Sequence, residues 1–131
     1  MALKDYAELD EEDYYGQDFA TPGVVSVWVG SAEPTQFAKN LDILQDLCGV
    51  GYYDLDENEA YYGPAPRDIG ELLVDFSFRV SFTPAVVEAA RRQGISRARW
   101  AIAQFNFAYD PARVQRPIHA DPCFLGVFQY T

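Results

Sequence analysis

The sequence predicts an α+β domain with α/β-like alternation: a single mixed β-sheet of about four to five strands, with two main helices and a short third helix packed on it. Three observations lead there. Val24 to Val29 (VVSVWV) and Arg99 to Tyr109 (RWAIAQFNFAY) are apolar on both sides of the strand alternation, as strands covered on both faces are. Between them lie segments with apolar residues at three- and four-residue spacing, two of which are stopped by a glycine, Gly49 and Gly94. A chain of 131 residues, 49% hydrophobic, can bury one core without metal or disulfide support.

Residues 1–22 form an acidic, Tyr-rich segment in which Asp5, Glu8, Asp10, Glu11, Glu12, Asp13 and Asp18 alternate with Tyr6, Tyr14, Tyr15 and Phe19. A run so charged stays solvated or docks through its aromatics. Residues 23–131 read as one domain. Pro22-Gly23 leads into the first strand and Gly30 closes it. Glu33-Pro34 opens a helix with Ser31 as a nearby cap; Phe37, Leu41, Leu44 and Cys48 form its inward stripe, and Gly49 stops it. Val50 to Asp54 reads as a second strand leading into an acidic turn, and Gly63-Pro64-Ala65-Pro66 breaks regular structure.

Asp68 is placed to cap a short helix carrying Ile69, Leu72, Leu73 and Phe76. Ser77 to Phe82 alternates as a strand or an extended link. Thr83-Pro84 predicts a helix start, threonine as N-cap and proline at N1. Arg91 and Arg92 suit that helix's C-terminal dipole, and Gly94 ends it. Arg99 to Tyr109 is the longest strand candidate, ended by Asp110-Pro111. Cys123 to Tyr130 (CFLGVFQY) supplies the last strand.

The net charge of −10 argues against direct nucleic-acid binding, which relies on cations to neutralise phosphates. The charge is also uneven. Residues 1–75 hold seventeen acids against three bases, residues 76–131 three acids against seven arginines. Such asymmetry suits the steering of a basic partner, or plain solubility. No run approaches the ~18 apolar residues of a membrane span, and MALKDYAELDEED lacks the apolar core of a signal peptide. Cys48 and Cys123 match no zinc or redox spacing, so two reduced thiols in a cytoplasmic protein are expected.

Chemistry is hard to build from these residues. His119 is the lone histidine, and no nucleophile elbow accompanies it. Asp54-Leu55-Asp56-Glu57-Asn58 begins like a calcium loop, but Glu59 replaces the required glycine and Ala65 the bidentate glutamate. No glycine-rich phosphate loop is present. Neither a cofactor nor a metal site is expected. The arginines at 91, 92, 97 and 99 form the one basic patch, read either as a helix end plus a solvated turn or as an anion site. What stands out is Gly49 to Tyr62 (GVGYYDLDENEAYY), with four tyrosines and four carboxylates in fourteen residues. Tyrosine offers contact area at low entropic cost and carboxylates attract basic partners, although acidic turns are also common as plain surface.

The order of the pieces carries a resemblance. Val25-Ser26-Val27-Trp28-Val29-Gly30 precedes a polar helix with Phe37. Then follow Gly51-Tyr52-Tyr53-Asp54-Leu55-Asp56, Ile69-Gly70-Glu71-Leu72-Leu73, Phe76-Ser77-Phe78 with Phe82, a helix ending in Gly94-Ile95, and a strand ending in Phe107-Ala108-Tyr109. Over residues 24–110 the chain resembles the immunity protein 22 family of bacterial polymorphic-toxin systems. The segment between Gly30 and Gly51 is shorter than in that family, which usually has a longer acidic insert there. The resemblance implies a cytoplasmic, non-enzymatic inhibitor that binds the C-terminal effector domain of a cognate toxin.

The candidate toxin-binding residues are Tyr52, Tyr53, Asp54, Asp56, Glu57, Glu59, Tyr61 and Tyr62. Asp10, Glu11, Glu12, Asp13 and Tyr14 form a second candidate region. Tyr52 and Asp54 also have a structural reading, so the emphasis falls on Asp56, Glu57, Glu59, Tyr61 and Tyr62. Two other functions compete: an effector adaptor or chaperone of a secretion system, and a small enzyme or ligand-binding domain around His119.

Overall fold

The two most apolar segments of the chain lie side by side at the centre of the sheet. A computed structural model describes residues 16–33, 37 and 39–131. Its strands are β1 (Ala20–Gly30), β2 (Asn58–Asp68), β3 (Arg97–Phe107) and β4 (Cys123–Gln129), arranged in the order β2-β3-β1-β4. All three pairings are antiparallel. Helix α1 (Ile69–Leu72) and the longer α2 (Arg79–Arg92) join β2 to β3. A π-helical segment, Ile43–Leu47, and short 3-10 turns at Leu55–Glu57 and Pro111–Arg113 complete the described elements.

The sheet is covered on both faces, as its apolar strands require. On one face, Val25, Val27 and Val29 of β1 join Ala101, Ala103 and Phe105 of β3, with Leu72, Phe82, Val86 and Ala90 from the helices. On the other, Trp28, Trp100 and Ile102 meet an irregular layer that contributes Leu44, Cys48, Val50, Tyr53 and Tyr109. Asn106 adopts φ +55°, a conformation asparagine tolerates better than most residues. Consistent with that kink, Phe105 and Phe107 lie on opposite faces, and the register with β1 shifts between Ala20 and Val25. The Asn106 Oδ1 accepts hydrogen bonds from the Gly23 N–H at 3.0 Å and the Tyr130 hydroxyl at 2.8 Å.

Two of the expected glycine stops hold. Gly94 follows α2 at φ +77°, with Ile95 N–H donating to Ala90 O and Gly94 N–H to Arg91 O, the bond pair of a Schellman motif. Gly49, at φ +73°, follows the π-helical segment. Gly30 serves a different need: a Cβ there would lie 2.0 Å from the Trp100 ring, so the indole occupies the space above the glycine.

Several expected elements differ. The helix expected from Glu33 is regular in the described residues only over Ile43–Leu47. Val50 to Asp54 is no strand. The second strand starts at Asn58, beyond the acidic turn, and runs on through Gly63-Pro64-Ala65-Pro66. It survives there as an edge strand, the position that tolerates proline. Its register shifts between Tyr62 and Arg67, and the Arg99 and Arg97 guanidinium groups donate to Pro64 O at 3.2 Å and Pro66 O at 3.0 Å.

Helix α2 begins at Arg79, so Ser77 to Phe82 is neither strand nor link, and Pro84 lies inside the helix. Phe78 precedes it at φ +59°, its ring packed 4.9 Å from Tyr130 and 6.0 Å from Phe105. The Thr83 hydroxyl, expected to cap, is buried without a hydrogen-bond partner. Burial of Phe82 in the core outweighs the local capping signal. At the N-terminal end, β1 starts at Ala20, and Gln17 and Phe19 are buried, so the folded unit reaches back across the expected boundary at residue 22.

Candidate functional site

The stretch Gly49 to Tyr62 is divided by the fold. Tyr53, expected at a binding surface, is buried (1% exposed), and its hydroxyl donates to the Asp42 carboxylate at 2.7 Å. It lines the cleft described below but exposes almost no area to a partner. Glu59 accepts a hydrogen bond from the Ser77 N–H at 2.9 Å, tying β2 to the segment before α2. Tyr61 packs with the helix-side core, whereas the Tyr62 ring lies 5.8 Å from Trp100 of the other core. Adjacent strand residues point to opposite faces, so the pair cannot form one patch. Asp10 to Tyr14 lie outside the described residues.

The remaining candidates converge. Tyr52 (53% exposed), Asp54 and Glu57 line a cleft of about 370 Å³, together with Asp18, Phe19 and Phe107 from the ends of β1 and β3. Asp56 is exposed on the 3-10 turn that carries Glu57. The turn forms because the Asp54 carboxylate accepts from the Asp56 N–H at 2.9 Å, a local cap that aspartate makes readily. This use of Asp54 matches its structural reading, while its side chain remains exposed.

Two buried glutamines hold the cleft walls. Gln104 donates from Nε2 to Asp54 O at 2.8 Å and accepts from Asn58 Nδ2 at 2.9 Å. Gln17 donates to Gly49 O at 2.9 Å and accepts from Gly51 N–H at 2.7 Å. A buried amide left unpaired would be costly, so these bonds fix the position of residues 49–58. Gln104 was signalled by its place within the apolar run RWAIAQFNF, where a polar residue needs partners. Gln17, Phe19 and Phe107 carried no comparable signal for this site.

Charge here is one-sided. No Lys, Arg or His lines the cleft, and among the described residues Asp18, Asp54, Asp56 and Glu57 form no ion pair. The basic patch is accounted for internally. Arg91 and Arg92 pair with Glu88 at 2.6 and 3.2 Å, Arg97 approaches Asp68 at 3.7 Å, and Arg99 binds Glu33. The hydrogen bonds from Arg91 hold the Glu88 carboxyl down to about 2.

Behind the cleft wall, Asp42 is buried and its pKa is raised by desolvation, despite hydrogen bonds from Gln45 N–H and Tyr53. Desolvation likewise raises the Tyr53 hydroxyl and pushes the Cys48 thiol up to about 12, so neither is a nucleophile at neutral pH. His119 is exposed; its backbone N–H donates to Leu47 O at 2.8 Å, and its side chain does not line the cleft. Among the described residues no three His, Cys, Asp or Glu side chains are grouped to hold a metal ion. No helix among them is long and apolar enough to cross a membrane. In comparisons with protein-family models, curated proteins and solved structures, nothing matches this chain.

Proposed function

We propose that this chain is a bacterial immunity protein, a stoichiometric inhibitor that binds the basic effector domain of a cognate toxin in the cytoplasm. The observation that carries the reading is the set of carboxylates at 18, 54, 56 and 57 around the cleft, which form no ion pair among the described residues, while Arg91, Arg92, Arg97 and Arg99 are engaged elsewhere. Unpaired surface charge of one sign accelerates encounter with an oppositely charged partner. A nuclease-type toxin needs a basic cleft for its own substrate, and an acidic surface can occupy it. The motif order from Val25-Ser26-Val27-Trp28 to Phe107-Ala108-Tyr109 supports the same reading by resemblance.

The toxin-facing surface is narrower than the sequence stretch: Tyr52, Asp54, Asp56 and Glu57, with Asp18 added. The test is expression of the effector domain encoded beside this gene, with and without this chain. Growth rescue, lost when Asp56 and Glu57 are both changed to lysine, is the expected result. A complex that forms without rescuing growth would favour the adaptor or chaperone reading instead. A small ligand-binding domain is the second reading. Its support now comes from the cleft volume and not from His119.

A further inference from the structure

We infer that the C-terminal half of β4 is a pairing edge for a second copy of this chain, which joins it strand to strand as an antiparallel dimer. This holds whether or not the chain inhibits a toxin. The sheet order β2-β3-β1-β4 leaves one side of β4 without a strand. Tyr130 N–H donates to Gly23 O at 3.2 Å, and main-chain groups alternate sides along an antiparallel strand. Tyr130 and Phe128 therefore turn their N–H and C=O toward β1, and Val127 and Gln129 turn theirs away. No described residue takes up those outward groups.

The two edges of the sheet are built differently. Along β2, Pro64, Pro66, Arg67 and Asp68 discourage the addition of a strand. β4 carries neither proline nor charge, and no charged side chain follows it to residue 131. Its N-terminal half is blocked in another way. The register with β1 shifts between Val27 and Trp28, and Gln93 Nε2 reaches Phe124 O and Leu125 O, each at 3.4 Å. The C-terminal half has no such guard, and Val127 there is β-branched and exposed.

A second copy suits this edge for two reasons. A strand edge is self-complementary about a twofold axis. With the axis at Phe128, Val127 of one copy faces Gln129 of the other, and each outward N–H meets a C=O. The two Phe128 residues then form the closer, non-hydrogen-bonded pair, with Cα atoms about 4.5 Å apart. Charge selects the same surface. A chain of net charge −10 repels its own kind, and residues 1–75 hold seventeen of its twenty acids. β4 lies at the edge opposite acidic β2, so copies meeting there bring an uncharged strand to each other.

The test is sedimentation equilibrium of the full chain, with hydrogen exchange read at the Val127 and Gln129 amides. A dimer with a Kd of about 100 µM or tighter is expected, as befits a small interface. Both amides should become at least about tenfold better protected as concentration rises through that value. Val127→Lys puts a charge on the edge and should weaken the dimer at least about tenfold, with an unchanged melting temperature. Val127→Thr keeps the β-branch and should dimerise as the parent chain does. A chain still monomeric at about 1 mM overturns the inference. So does a dimer that Val127→Lys leaves intact, or one in which neither amide gains protection. Protection that appears only on adding the effector domain would give the edge to a partner's strand and overturn the second copy.

Discussion

The two ends of the β2–β3 ribbon are built from similar residues and settle their charge in opposite ways. At the end where Asp68 faces Arg97, acids and bases interleave: Arg67 lies 3.9 Å from Glu71, Asp68 pairs with Arg97, and Glu33 with Arg99. The Arg97 and Arg99 guanidinium groups also hold the proline-rich part of β2 by its carbonyls. At the end where Asn58 faces Gln104, the charged residues lining the cleft are carboxylates, Gln104 and Gln17 anchor its walls through neutral amides, and the Arg113 guanidinium lies beside it over the Phe19 ring. An eleven-residue strand separates the two by roughly 30 Å at about 3.3 Å per residue, beyond the screening length at physiological salt. Charge at the first end serves the fold. At the second end the fold uses Asp54 only as a local cap, and among the described residues Asp18, Asp54, Asp56 and Glu57 form no ion pair.

Breaking the paired end should have the largest effect. Gly30→Ala places a methyl group against the Trp100 ring, and overpacking of this kind is expected to destabilise by about 3 kcal/mol in a denaturant titration. Arg99→Ala removes the Glu33 pair and the bond to Pro64 O, for an expected loss of about 2 kcal/mol read the same way.

The buried carboxylate behind the acidic end gives a smaller, pH-dependent signature. Asp42 has its folded pKa raised above the ordinary carboxylate value of 3.8, so the folded state binds its proton more tightly than the unfolded state. Stability from this group is therefore greatest below the ordinary value and falls as pH rises through the raised one. Asp42→Asn should flatten that part of the stability-versus-pH curve; an unchanged slope would show that another group dominates it. Smallest in stability and largest in function, the double change Asp56→Lys and Glu57→Lys should move stability by no more than about 0.5 kcal/mol. On the proposed immunity reading, the same change should weaken toxin binding most at low salt. If stability instead falls as far as for Arg99→Ala, the contrast between the two ends is lost.

Much of this arrangement was legible in the residues. β1 and β3 announce themselves because a strand covered on both faces must be apolar at nearly every position, and β4, an edge strand, by its short apolar run. Gly94 and Gly49 mark element ends because few other residues adopt positive φ cheaply. β2 was not legible: its start was read as an acidic turn and its proline-rich end as a break in regular structure. Asp, Asn, Gly and Pro disfavour strands, and β2 is extended because β3 pairs with it and two β3 arginines clasp its carbonyls. The start of α2 was misplaced because Thr83-Pro84 satisfies every local rule for a helix N-terminus, while the burial of Phe82 depends on a sheet that local rules do not see.

The candidate site divides the same way. The acidic and aromatic content of Gly49 to Tyr62 is a property of composition, readable without a fold. Which of those side chains face one another is a property of pleat and register. Tyr61 and Tyr62 part because neighbouring strand residues alternate, and Tyr53 is consumed by Asp42. Tyr52 joins Phe19 and Phe107, from segments far away in the chain, because β1 and β3 end beside the acidic turn. The sequence by itself determined the fold class, the central strands and the excess of negative charge, since these follow from residue types at short spacing. Only the tertiary structure decided where that charge is left unpaired, since pairing depends on which distant residues the sheet brings within reach.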